Sequence, residues 1–215
     1  AHVVNPALRK LPYDPSKDFI PVSLIVAAPQ ILVVSPQSPY KTLGDLLAAA
    51  RKSPDKITYA SAGAATASHL AAELMADEAK VDLLHVPYKG GAPALTDVMA
   101  GSVDIYFGNA ASTLQHVNSG KLRALGVSSR QRLKNLPHVP TLSESGIPNY
   151  EVLEWNGMFL PKGTPTDVVQ RFAIPKELPA ALLEGFAWDA EDRQYQSLSE
   201  VRAYAVRVAG TVGAM

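Results

Sequence analysis

An α/β fold is what this sequence predicts, and three observations predict it. Between residues 41 and 128, short apolar or β-branched runs alternate with stretches of helical periodicity. The links between them are short and rich in Gly, Ser, Asn and Thr. Ile31-Leu32-Val33-Val34 is continuously apolar, as a strand covered on both faces should be. Such alternation builds a sheet that is largely parallel, with right-handed crossovers.

The elements follow in order. Pro6, Pro12, Pro15, Pro21 and Pro29 leave no room for a long helix in residues 1–30, so Phe19 to Ile25 and Gln30 to Ser35 read as two strands. Thr42-Leu43-Gly44-Asp45 resembles a capping box with Asp in the place of Glu, and a helix continues to Lys52. Lys56 to Ser61 is a strand. Thr66 to Asp77 is a helix with Leu70, Leu74 and Met75 on one face. Asp82 to Val86 is a strand, and Ala92 to Ala100 a helix closed by Gly101. Val103 to Phe107 is a strand, Ala111 to Asn118 a helix closed by Gly120, and Leu122 to Ser128 a strand. Residues 129–172 are irregular, with a strand-like stretch from Tyr150 to Leu160 and a short helix near Pro165 and Thr166. After Phe172 the texture changes: Pro175 to Gly185 and Ser197 to Met215 read as helices, the second with Leu198, Val201, Ala205, Val208 and Val212 on one stripe.

Composition narrows the function classes. The 215 residues carry 20 basic and 20 acidic side chains, so a nucleic-acid or anionic-membrane partner, which needs a basic surface, is disfavoured. Without cysteine there is no disulfide framework, no Cys-ligated metal and no thiol catalysis. No run of about 18 apolar residues exists to cross a membrane. His2, His69, His85, His116 and His138 are scattered, none at metal-ligand spacing. No G-x-S-x-G elbow occurs, and Ser68 and His69 are sequence neighbours whose side chains diverge on a helix. The reading is therefore non-enzymatic, with no cofactor and no metal. His69 is read as a capping or pocket-lining residue rather than a general base.

Three stretches carry binding chemistry. In the first, from Tyr59 to His69, a strand runs through Ser61, Ala62 and Gly63 into Thr66, Ser68 and a helix. Small side chains let a ligand approach the backbone, and the first N–H groups of a helix make an anion cradle. A tight turn with Thr66 as a plain N-cap fits the same pattern. No Walker lysine follows, which argues against a nucleotide phosphate. The second is Tyr88-Lys89-Gly90-Gly91, again between a strand and a helix. There Lys89 is placed to attract an anion and Tyr88 to wall a pocket, although a solvated lysine in a turn is the plainer reading. The third puts Asn109 at a strand end, as an N-cap and neutral donor–acceptor. Trp155 is a large apolar surface, a type more often found in a core than in a ligand wall.

Together these stretches resemble the Bug-type substrate-binding proteins of tripartite tricarboxylate transporters. The likeness covers residues 1 to about 172. It is carried by Asn5-Pro6, Leu11-Pro12-Tyr13-Asp14-Pro15, Lys56-Ile57-Thr58-Tyr59-Ala60-Ser61 and Ser68-His69-Leu70-Ala71. It continues in His85-Val86-Pro87-Tyr88-Lys89-Gly90-Gly91, Gly120-Lys121-Leu122-Arg123-Ala124-Leu125, Leu136-Pro137-His138-Val139-Pro140-Thr141 and Pro161-Lys162-Gly163-Thr164-Pro165. The resemblance implies a two-lobed, periplasmic-binding-protein-like fold. Residues 1–34 and 129–172 would form the first lobe and 35–128 the second. It implies a monomeric periplasmic protein that captures a small di- or tricarboxylate for the transporter's membrane subunits. Ser61, Ala62, Gly63, Thr66, Ser68 and His69 match its second-lobe clamp, and Tyr88, Lys89, Gly90, Asn109 and Trp155 its cleft lining. Many members have Asp where this chain has Gly108.

Two departures qualify that expectation. The chain opens on Ala1-His2 with neither Met nor signal peptide and closes on Met215 inside a helical pattern, so both ends read as cut. The family's first strand and Gly-rich loop, the other half of the clamp, would precede residue 1. Losing those hydrogen bonds, each worth ~1.5–3 kcal/mol to a charged acceptor, would weaken binding by several orders of magnitude. From residue 173, the segments Leu183-Glu184-Gly185-Phe186-Ala187-Trp188-Asp189 and Arg207-Val208-Ala209-Gly210-Thr211-Val212-Gly213 resemble part of the squalene/phytoene synthases. Asp189 and Asp192 stand at D-x-x-D spacing outside that family's motif setting, so no prenyl chemistry is expected. The alternatives are a fragment or fusion related to such a synthase, or a non-functional junction product.

Overall fold

The computed structural model describes residues 10–172. The helices expected in 173–215 lie outside the described residues. The described chain runs β1 (Phe19–Val34), α1 (Leu43–Lys52), β2 (Thr58–Ser61), α2 (Ala67–Ala79), β3 (Leu84–Pro87), α3 (Gly91–Ala100), β4 (Ile105–Asn109), α4 (Ala110–Asn118), β5 (Arg123–Val127), β6 (Leu153–Pro161) and α5 (Thr166–Phe172). It divides into two compact units. One is Ala27–Trp155; the other joins Lys10–Val26 to residues 156–172.

The larger unit is built on a sheet in the order β3-β2-β4-β1-β5. β2 pairs in parallel with β3 and β4, while β1 runs antiparallel to both β4 and β5. The sheet is therefore mixed, not largely parallel. Among the described residues no helix precedes β1, so the βαβ handedness rule does not govern it. The two strands expected on either side of Pro29 are one strand. Its β4 ladder begins at Gln30, so Pro29, which has no N–H, removes nothing from it.

Period-two alternation divides the core between the two faces of this sheet. Leu32, Val34, Tyr59, Ile105 and Phe107 meet α1 and α2 in one cluster. Ile31, Val33, Ala60 and Tyr106 meet Ala94, Leu95 and Val98 of α3 in the other. Ile31 through Val34 are 0% exposed, which accounts for the unbroken apolar run. Each such side chain contributes about 1.5–3 kcal/mol of transfer free energy.

Helix ends follow local chemistry. Thr42 caps α1 by accepting the Asp45 N–H at 3.1 Å, and Asp45 accepts the Thr42 N–H at 2.9 Å, the reciprocal box its sequence predicts. Gly101 takes φ +78° beyond α3, as a C-terminal glycine should. On α2 the buried face is Ser68, Ala71, Ala72, Met75 and Ala79, whereas Leu74 is 36% exposed. The alanines bring the helix close to the sheet, and the long leucine points away.

In the smaller unit, the Asp14 carboxylate accepts the N–H and hydroxyl of Ser16 at 2.9 and 2.6 Å. These bonds, with help from Lys17, lower its pKa to about 2. The Lys162 N–H donates to the Asp18 carbonyl at 2.8 Å.

Candidate functional site

The parallel strands β2, β3 and β4 end on the same side of the larger unit, and their carboxyl ends open into three loops. Two of these are tied side by side. Tyr88 N–H donates to the Ser61 carbonyl at 3.0 Å and Gly90 N–H to the Ala62 carbonyl at 3.1 Å. Gly63 at φ +137° and Gly90 at φ +120° hold backbone angles that favour glycine, and Ala65 accepts the left-handed region at φ +63°.

Side chains brace the first loop from within. Ser68 Oγ accepts the Ala62 N–H at 2.9 Å, Ser61 Oγ the Gly63 N–H at 3.2 Å, and His69 Nδ1 the Ala65 N–H at 3.3 Å. The Thr66 hydroxyl donates to the Gly63 carbonyl at 2.6 Å and lies 3.0 Å from Ser68 Oγ. Thr66 occupies the N-cap position of α2 without capping it, because its hydroxyl is committed to the loop. α3, with Gly90 at its N-cap position, likewise has no side-chain cap. The first-turn N–H groups of both helices have no intrahelical acceptor, so two positive helix ends stand in adjacent loops. By contrast, α1 carries its capping box and α4 is capped by Asn109 Oδ1, which accepts the Ala111 N–H at 2.9 Å.

Tyr106 joins these loops. Its hydroxyl lies near the Ser68 hydroxyl and stands where a Cβ on Gly91 would come within 3.0 Å of it. Burial and then the charge of Glu154 raise its pKa, against the nearby Ser68 hydroxyl. The Tyr88 hydroxyl donates to Asp97 Oδ2 at 2.6 Å, and this bond pushes its pKa up to about 12. That hydroxyl is therefore spent on α3. Lys89 is exposed and has no ion-pair partner among the described residues.

Asn109, read as a neutral donor–acceptor, has both ends of its amide engaged: Oδ1 on α4 and Nδ2 on Glu154 Oε2 at 2.8 Å. Trp155, the next residue, is 42% exposed rather than core. Gly108 leaves space that Thr113 fills. A Cβ at 108 would fall far inside contact distance of Thr113 Oγ1 and 3.0 Å from the Tyr106 ring, and Thr113 Oγ1 is buried without a partner.

Sequence reasoning missed a cluster behind the first loop. His85 Nε2 lies 2.7 Å from Ser61 Oγ. The His85 ring stacks on Tyr59 at 4.8 Å and lies 4.2 Å from the His69 ring. The Tyr59 hydroxyl donates to Glu73, whose Oε1 is 3.8 Å from His69 Nε2. Burial raises the Tyr59 pKa, with Glu73 adding to it; burial and then His69 lower that of His85. Only the Tyr59–His85 register of β2 and β3 brings these residues together, and no local pattern reveals it. Gln30 and Glu154 were missed for the same reason, being 124 residues apart.

Cavity size points elsewhere. A cavity of about 770 Å³, lined by Lys41, Leu122, Arg123, Arg132, Pro140 and Glu144, contains none of the loop residues. It sits at the amino-terminal end of β5, away from the uncapped helices. The uncapped helix starts, not the volume, define the candidate site. Among the described residues, no group of three or more His, Asp or Glu is arranged to hold a metal ion, and no helix is long and apolar enough to cross a membrane.

Comparison with known proteins gives two matches along the chain. The model for the tripartite tricarboxylate transporter family receptor matches residues 1–178, and that for squalene/phytoene synthase matches residues 165–215. A UPF0065 protein from a Pseudomonas species, encoded between tcbD and tcbE, is 47% identical over 75% of this chain and 48% of its own length. An R. palustris structure with adipate has 34% identity and a TM-score of 0.74, covering 81% of this chain and 57% of that one. MatC from Rhodopseudomonas palustris, with bound malate, has 28% identity and a TM-score of 0.72, covering 94% of this chain and 63% of that one. The chain spans about half the length of the curated relatives it matches.

Proposed function

Because the chain belongs to the tripartite tricarboxylate transporter receptor family, we propose that it captures a small carboxylate outside the cytoplasm. It acts as a monomer and passes the ligand to the transporter's membrane subunits. The observation that carries the site is the pair of uncapped helix starts, α2 and α3, in adjacent hydrogen-bonded loops. A carboxylate there accepts from backbone N–H groups at the positive ends of both helices, which needs no basic side chain and suits a chain of zero formal charge. Ser61, Ala62, Gly63, Thr66, Ser68 and His69 form and brace the cradle. Tyr88, Lys89, Gly90, Asn109 and Trp155 border it. Adipate and malate, the ligands of two structural neighbours, support an organic acid with at least one free carboxylate.

The reading is non-catalytic. Ser61 and His85 form a hydroxyl–imidazole pair, but Ser61 is 0% exposed and braces the loop. The synthase-like match covers 165–215 and supports no prenyl transfer in this reading. Isothermal calorimetry on the folded protein with succinate, adipate, malate and citrate tests the proposal. Heat of binding for at least one acid is expected, weakened by Ser68→Ala, which removes the Ala62 N–H acceptor. No heat for any acid, with folding verified by circular dichroism, overturns it.

A further inference from the structure

The end of β4 holds an arrangement the carboxylate cradle does not need. Glu154 Oε2 accepts the Asn109 amide at 2.8 Å and the Gln30 amide at 3.3 Å. Both donors are neutral, and among the described residues Glu154 has no cationic partner. Gln30 is 2% exposed, and its Oε1 is buried with no hydrogen-bond partner. That oxygen belongs to the same amide that donates to Glu154, so it lies beside the carboxylate. Swapping the two ends of the amide would set oxygen against oxygen, so Glu154 fixes the orientation. The corner therefore has an excess of acceptors: a carboxylate without a counter-ion and a buried carbonyl without a donor.

The corner is close to the proposed cradle. Glu154 is half-buried, and its charge reaches the Tyr106 hydroxyl, which lies near Ser68 and against Gly91 at the start of α3. A second carboxylate on the ligand is repelled at this corner. A group bringing N–H or O–H donors is attracted, and an ammonium matches best because it adds charge and has donors for more than one acceptor.

Resting on the carboxylate-binding reading above, we propose that Glu154 is a specificity-determining residue that selects a carboxylate bearing a hydrogen-bond donor, ammonium or hydroxyl, over the plain dicarboxylate of equal length. Matched four-carbon acids test it by calorimetry: succinate, malate and aspartate. The wild-type protein is expected to bind aspartate or malate at least about tenfold more tightly than succinate. Aspartate leading identifies an ammonium as the favoured donor, malate leading a hydroxyl. In Glu154→Gln, whose carbonyl still accepts from Asn109 and Gln30, that preference should fall by about tenfold while succinate affinity holds within about threefold. Equal wild-type affinity for the three acids overturns the proposal, and this measurement needs no variant. An unchanged preference in Glu154→Gln also overturns it. Succinate binding without selectivity leaves the carboxylate-binding reading standing, whereas no binding of any acid removes both.

Discussion

Ser61 Oγ faces two partners at once, the His85 ring at 2.7 Å and the Gly63 N–H at 3.2 Å, so a histidine that contacts no proposed ligand atom controls the loop behind the cradle. Tyr59, His69 and Glu73 are the titratable groups that face it. Burial and His69 depress the His85 pKa in the fold, while the unfolded chain keeps an ordinary value near ~6.5. As pH falls, the unfolded state takes up the proton first. The contribution is therefore complete above pH ~6.5 and is lost as pH drops through the folded value. Thermal melting followed from pH 7 to pH 5 should show a declining midpoint, and His85→Gln should flatten that decline. An equal slope in the variant would show that the histidine is not its source. None of this was legible locally. Sequence reading gave His69 a capping or lining role, and its Nδ1 does take a loop N–H. But His85 and Tyr59, apart in sequence, become neighbours only through strand register.

At the scale of elements, each helix start shows in its own chemistry whether it is closed. Thr42 and Asp45 close α1 reciprocally, and four residues of sequence were enough to predict it. Thr42→Ala should cost about 1 kcal/mol in urea unfolding with the m-value unchanged. A loss below a few tenths would mean that the exposed cap contributes little. The Thr66 position was legible as an N-cap, but its hydroxyl was not legible as a loop brace, because the Gly63 carbonyl it binds depends on the φ of Gly63 and Ala65. The apolar face of α2 was legible only in part: Met75 is buried as expected, but Leu74 is 36% exposed. Leucines dominate a hydrophobic pattern, yet here Ala71 and Ala72 are buried because a helix lying tight on a sheet excludes long side chains.

Over the larger unit, β1 is the shared floor of two cores. Ile31 and Leu32 are adjacent in sequence and face opposite clusters, both at 0% exposure. Ile31→Ala and Leu32→Ala should each cost about 2–5 kcal/mol, measured by chemical denaturation. A low cost for only one of them would mean that its face of the sheet is loosely packed. The four-residue apolar run made this double burial legible. The antiparallel setting of β1 was not, since alternation of strands and helices reports connectivity and says nothing of a strand that joins without a crossover.

The Gly108–Thr113 contact sets an order on how this site can change by mutation. With Thr113 in place, any side chain at 108 collides with it, so the route to a carboxylate or methyl there passes first through a smaller residue at 113. The reverse order crosses an overpacked intermediate. A library that varies one position at a time will record 108 as intolerant, and the accessible sequences there will emerge only when the two are varied together.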